Sequence, residues 1–134
     1  MTRASSIIAL AGIACALLAT PASALDLNSF RAQHGRPPLS VSGMLSGIAT
    51  SHAHDLARRK RLDHAGFRQR LDVVASAAAE NVLVGCADAD CAIRKWAASG
   101  GHRANMLRRD VTHYGLASAT ADNGRKYWVL ELGN

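Results

Sequence analysis

Three side chains in the C-terminal two-thirds of the chain carry the types and setting that site chemistry needs. His64 lies in Asp63-His64-Ala65-Gly66-Phe67, Glu80 in Ala79-Glu80-Asn81-Val82, and His102 in Trp96-Ala97-Ala98-Ser99-Gly100-Gly101-His102-Arg103-Ala104-Asn105-Met106-Leu107. Each stretch reads as a break in local structure, where functional residues concentrate. Two neutral imidazoles can bind a divalent metal such as zinc, with a carboxylate as third ligand or as an outer base. A metal held in this way can leave a position open to water. Without metal, the same trio can serve as a general acid/base set. His64 and His102 are therefore the metal candidates, and His64, Glu80 and His102 the ligand-binding and catalytic candidates. The alternative is a structural role: Glu80 tying backbone amides, Asn81 holding a turn, and His102 capping a helical segment over 103–107. The intervals between the three are long, so only a fold can bring them together.

Other chemistry finds less support. Ser99 is near His102 in sequence but lacks the G-x-S-x-G setting of an activated serine. Gly100-Gly101 alone does not make a phosphate cradle. His52 falls on a buried stripe, which favours a hydrogen-bonded core residue over a ligand. His34 sits in the last turn of a predicted helix, where it complements carbonyl dipoles.

Residues 1–24 read as a signal peptide. Arg3 precedes an uncharged apolar run, and Ala22-Ser23-Ala24 has the small-x-small form of a cleavage site. Cys15 belongs to this leader. The run is short for a membrane span, and no other is long enough, so no transmembrane segment is expected in residues 25–134. That length suits one domain. Removing Arg3 leaves 15 Lys+Arg against 10 Asp+Glu, a net charge of +5 with neutral histidines. Arg58-Arg59-Lys60-Arg61 and Arg108-Arg109 supply much of the excess and read as solvated faces. Aromatic residues are not interleaved with them, so nucleic acid is not an expected partner. Cys86 and Cys91 are the remaining cysteines. In an exported protein they are expected to pair, because the compartment is oxidising. The competing reading, a metal pair, lacks further ligands at zinc-site spacing. The chain-entropy relation gives about 2 kcal/mol for so short a loop.

The elements that must position these residues follow from periodicity. Asp26 caps a first helix bearing Leu27 and Phe30, which Gly35 ends before Pro37-Pro38. Over residues 42–62, Met44, Leu45, Ile48, Ala49, His52, Ala53, Leu56 and Ala57 recur at helical spacing and predict a buried face. Residues 67–71 begin a short helical piece, and 73–79 carry no clear period. Asp88 or Asp90 caps a helix with Ile93, Trp96 and Ala97 inside, and Ser99-Gly100-Gly101 is expected to stop it. The period then changes to two. Tyr114, Leu116 and Ser118 alternate with small residues, Asp122-Asn123-Gly124 marks a hairpin turn, and 127–132 return as a strand. Helices first and a hairpin last predict an α+β fold.

The three quoted stretches, in this order, resemble the signature of bacterial members of the CAP superfamily, whose secreted domain is also called SCP. Leu27-Asn28-Ser29-Phe30-Arg31-Ala32-Gln33-His34-Gly35-Arg36-Pro37-Pro38-Leu39 resembles their opening, and Arg70-Leu71 matches a further position. The resemblance covers residues 25–134. It implies a three-layer α-β-α sandwich with a small antiparallel sheet, and a cleft lined by two histidines and one or two glutamates. His64, Glu80 and His102 match three of those positions. Where many eukaryotic members carry a second glutamate after the tryptophan, this chain has Ser99 and glycines. The implied function is an exported bacterial binding module, periplasmic or extracellular. Its cleft would hold zinc or a small ligand, and its partner would be a small molecule, a lipid or a cell-surface component. The rival readings are a metal-assisted, peptidase-like hydrolase using the same residues and a lipid or sterol carrier.

Overall fold

The computed structural model describes residues 24–134, so all of the expected leader except Ala24 lies outside the described residues. The first helix, α1 (Leu27–Gln33), starts where Asp26 accepts a hydrogen bond from the Ser29 amide. Gly35 leaves it at φ 65°, a conformation that favours glycine. A two-residue strand, β1 (Ser40–Val41), leads to α2 (Gly43–Arg59), capped by the Ser42 hydroxyl. Then come α3 (Phe67–Leu71), β2 (Ala78–Val84), α4 (Ala89–Ala97), α5 (Gly100–Met106), β3 (His113–Thr120) and β4 (Lys126–Gly133).

The strands form one four-stranded sheet in the order β1-β3-β4-β2. The β3–β4 and β4–β2 pairs are antiparallel, and β1 joins the edge in parallel. The sequence does not predict that parallel pair, because two residues carry no readable period. The central strand β4 is buried on both faces, and its alternation divides the core. Tyr127 and Val129 face α2 with Ala49, Ala53, Leu56, Ala57, Val82 and Ala119. Trp128, Leu130 and Leu132 pack on the opposite side with Phe30, Ile93, Trp96 and Met106, from α1, α4 and α5. The result is the α-β-α sandwich. α2 comes very close to the sheet at Gly115, where an added Cβ would lie 2.2 Å from the Ser46 amide nitrogen.

Three sequence expectations change. Met44 is 62 % exposed, because the buried face of α2 begins at Leu45. Residues 78–84 form the edge strand β2, so Glu80 sits in regular structure and not at a break. Gly100-Gly101 opens α5, which makes His102 its third residue. The disulfide forms as expected: Cys86 and Cys91 are joined, with Cα atoms 5.6 Å apart, beside the Asp88 cap of α4. No helix among the described residues is long and apolar enough to cross a membrane.

Candidate functional site

The edge strand β2 organises the site. Successive side chains of a strand point to opposite faces. Glu80 thus points to the layer holding α2 and α3, and Asn81 to the layer holding α5. The carbonyls of Ala78, Glu80 and Val82 are capped by side-chain donors: Arg108 Nη1 at 3.0 Å, Asn105 Nδ2 at 3.4 Å and Trp96 Nε1 at 3.3 Å. Edge acceptors satisfied in this way are closed to pairing with another strand. Asn81 donates to the His102 carbonyl at 2.9 Å, and Asn105 donates to Asn81 Oδ1 at 2.9 Å. The two asparagines fasten α5 to the edge and so place His102. The sequence marks Asn81 only as a turn holder, because the strand character of residues 78–84 is not visible in it.

Glu80 is 5 % exposed, and both of its oxygens are engaged. His64 Nδ1 donates to Oε1 at 2.6 Å, and Arg70 Nη2 donates to Oε2. Burial by itself would raise the Glu80 pKa. The Glu131 carboxyl beside it, the hydrogen bonds from His64 and Arg70 and the Arg70 charge together outweigh burial and hold it below the ordinary glutamate value. His64 comes from the loop after α2, and its side chain is half exposed. His52, on the buried face of α2, donates from Nε2 to the Asp63 carbonyl at 3.1 Å and lies 3.6 Å from Glu80 Oε1. Burial lowers the His52 pKa, and the Arg70 charge adds to this against the opposing charge of Glu80. His52 is the core histidine that its position on the stripe predicts.

His102 reaches the edge from α5, with Nδ1 hydrogen-bonded to the Ser99 hydroxyl at 3.0 Å. Burial lowers its pKa, and the neighbouring His64 adds to the lowering. The two imidazoles line neighbouring depressions along β2. One, of about 280 Å³, is bounded by His64, Phe67, Ala78, Ala79, Glu80, Asn105 and Arg108. The next, of about 270 Å³, has Leu62, Val82, Val84, Lys95, Trp96 and His102 among its walls. His34 donates to the Phe30 carbonyl and accepts from Arg103, which ties α1 to α5.

Two residues beside Glu80 are not among the site residues that the sequence predicts. Arg70 lies in α3, and Glu131 lies opposite Glu80 on β4. Glu131 stands in an apolar strand run, and a lone carboxylate in such a run is the signal that could have drawn attention to it. Among the described residues no group of three or more His, Cys, Asp and Glu side chains is placed to hold a metal ion. The basic clusters are largely paired. Arg59 bonds Asp55 and Asp63, Lys60 bonds Asp122, and Arg108 bonds Asp110.

Comparison with known proteins agrees with this architecture. The family model described as "CAP: Cysteine-rich secretory protein family" matches residues 26–132. The chain is 30 % identical over 114 residues to the uncharacterized membrane protein YlbC of Bacillus subtilis, covering 78 % of this chain and 32 % of that protein. It is 28 % identical over 97 residues to the uncharacterized protein YkwD of the same organism, covering 66 % and 38 %. The chain thus spans about a third of the length of these relatives. An outer surface protein of Borrelia burgdorferi shares the fold at TM-score 0.72 and 16 % identity, over 81 % of this chain and 86 % of that one. An extracellular SCP-domain protein of Bacillus anthracis superposes at TM-score 0.67 with 25 % identity, over 81 % and 37 %.

Proposed function

We propose, from the premise that the chain belongs to the cysteine-rich secretory protein (CAP) family, that it is an exported binding module whose site is the β2 edge between His64 and His102. The observation that carries this reading is the commitment of Glu80. A general base needs a carboxylate oxygen within reach of a water or substrate proton. Here one oxygen takes the His64 proton, the other takes the Arg70 guanidinium, and the side chain is buried. Glu80 is thereby suited to orient His64 rather than to activate water, which favours binding over hydrolysis. The apolar lining is divided between two shallow depressions, Phe67, Ala78 and Ala79 in one and Leu62, Val82, Leu83, Val84 and Trp96 in the other, a small surface for a lipid carrier.

Glu80 also fixes what His64 presents. With Nδ1–H spent on the carboxylate, Nε2 keeps its lone pair and faces outward as the acceptor. A ligand with a donor group, or a metal ion, would meet that atom. An imidazole backed by a carboxylate is a common arrangement around transition metals. His64 and His102 are the residues that would hold zinc, with Glu80 outside the coordination shell. If bound, the ion would supply a Lewis-acidic centre for an anionic ligand atom. The protein offers two donors where catalytic zinc sites offer three, so the remaining positions would fall to ligand or water.

Export is supported by the leader-like residues 1–24 and by relatives described as extracellular or outer-surface proteins. Local pairing of the basic residues supports a partner other than nucleic acid. The test is calorimetric titration of residues 25–134 with zinc, with His64→Ala, His102→Ala, His34→Ala and His113→Ala alongside. Loss of binding in the first two variants alone is the expected result. Binding indifferent to His64 and His102 would remove the metal version. In parallel, the His64 and His102 ring signals are followed by NMR during addition of small carboxylates, amines and fatty acids. Rings that respond to none of these would count against the small-ligand version.

A further inference from the structure

Glu131 is completely buried and sits directly across the β2–β4 pair from Glu80, on the same face of the sheet. Opposed residues in such a pair place their Cβ atoms about 4.5–5.5 Å apart. Among the described residues no donor reaches either Glu131 oxygen, and Arg70 Nε, 3.8 Å from Oε1, is itself without a hydrogen-bond partner. A buried carboxylate with no hydrogen bond is a costly arrangement. The neighbours offer no other relief. On β3 the residue opposite Glu131 is Gly115, which has no side chain. From α2, His52 has spent its Nε2 proton on the Asp63 carbonyl. From α3, Arg70 supplies one positive charge, already engaged with Glu80.

One guanidinium therefore faces two buried carboxyl groups, and two like charges so close in a dry site do not both persist. Glu80 has two hydrogen-bond donors and Glu131 has none, so the retained proton belongs on Glu131. A proton there removes the charge and also satisfies the orphaned oxygen, because the acid O–H can donate to Glu80. Burial, then hydrogen bonding with Glu80 and the charge of Glu80, push Glu131 up to about 10, in agreement with the geometry.

We propose that Glu131 is a positioning residue of the β2-edge site: as a neutral carboxylic acid it donates a hydrogen bond to Glu80 and holds that carboxylate against His64. It acts through Glu80 and touches no ligand. The proposal deepens the reading of His64 as a binding residue, but its readouts need no ligand, so it can fail or stand independently of the zinc titration.

Two variants test it. Glu131→Gln keeps the size and an N–H donor, and Glu131→Met keeps the size and removes the donor. The first measurement is infrared spectroscopy at neutral pH, wild type minus Glu131→Gln. A protonated-carboxyl C=O band in the wild type is expected, and its absence overturns the proposal. The second is denaturant unfolding as a function of pH. A group neutral in the folded chain and ionised in the unfolded one makes the folded state hold more protons, so stability falls as pH rises. Between about pH 6 and about pH 9 the wild type should lose stability relative to Glu131→Gln, and parallel curves would overturn the assignment. The third is the NMR signal of His64 Nδ1–H. It should persist in Glu131→Gln and broaden or vanish in Glu131→Met. An unchanged signal in a folded Glu131→Met chain would reduce Glu131 to a space-filling residue. If Glu131→Met does not fold, the two Glu131→Gln measurements still decide the matter.

Discussion

His64 Nδ1 lies 2.6 Å from Glu80 Oε1, so the most exposed imidazole of the site is oriented by the most deeply buried of its expected partners. The pair joins two layers: His64 comes from the α2–α3 loop, and Glu80 from the edge strand. Through it, the buried carboxyls of Glu80 and Glu131 connect to a half-exposed imidazole, and Arg70 beside them is partly exposed.

Glu80→Gln keeps the shape of the side chain but removes the charge that fixes the His64 tautomer. Where zinc is bound by the wild type, its affinity is expected to fall about 10–100-fold, the usual effect of losing an outer-sphere carboxylate. Calorimetry measures this, and the NMR ring signals of His64 report the tautomer. Wild-type affinity in this variant would show that His64 does not depend on Glu80.

Trp96 is buried in the α1–α4–α5 layer, and its indole N–H caps the Val82 carbonyl on the β2 edge. Trp96→Ala is expected to destabilise the domain by about 3–5 kcal/mol, the usual cost of removing a core aromatic. Denaturant unfolding measures it. Trp96→Phe restores volume without the indole donor and should recover part of the loss. A Trp96→Ala chain that melts like wild type would contradict the packing described.

Gly115→Ala would place a methyl group 2.2 Å from the Ser46 amide nitrogen and 2.3 Å from the Leu45 carbonyl carbon. Both are backbone atoms, so α2 must lift away from β3. Overpacking of this kind costs about 1–3 kcal/mol and sometimes more. Gly47→Ala, where nothing lies within 4 Å of the added carbon, is the matched control and should be close to neutral or stabilising. Thermal unfolding of the two variants makes the comparison.

Acid should unfold the domain through named groups. Glu80 is held low as described, and the Arg59 hydrogen bond holds Asp63 well below the usual carboxylate range. A depressed carboxyl stabilises the fold above its unfolded pKa, and that contribution is lost as pH falls through the folded value. For both groups the loss begins near about pH 4, where unfolded carboxyls titrate. His52 and His102 act earlier. Burial depresses both, so the unfolded chain takes up protons from about pH 6.5 downward while the folded chain resists them. Stability should therefore decline in two stages on acidification. His52→Gln should remove part of the first, and Arg59→Ala part of the second. Denaturant midpoints recorded across the acid range give the curve, and a single stage unaffected by either variant would contradict these assignments.

Local chemistry in the sequence was enough to read much of the framework. The Asp26, Ser42 and Asp88 ends of their helices, the buried face from Leu45 to Ala57, the turn at Asp122-Asn123-Gly124 and the Cys86–Cys91 pairing each depend on residues a few positions apart. Short-range capping, periodicity and turn geometry leave marks in the chain itself. Family resemblance gave the layer order and selected His64, Glu80 and His102. The strand character of Ala78–Val84 was hidden, because its central residues, Glu80 and Asn81, are polar and its first ones small. Their burial is permitted only by partners far away in sequence: Arg70 and His64 for Glu80, and Asn105 and the His102 carbonyl for Asn81. Glu131 is the clearest case. In the sequence it is one charge in an apolar run. Only the register of β4 against β2 puts it opposite Glu80, and only the assembled sheet leaves its oxygens without a donor among the described residues, which is the ground for the proton proposed there. Register and desolvation are properties of the assembled sheet, and no stretch of chain carries them alone.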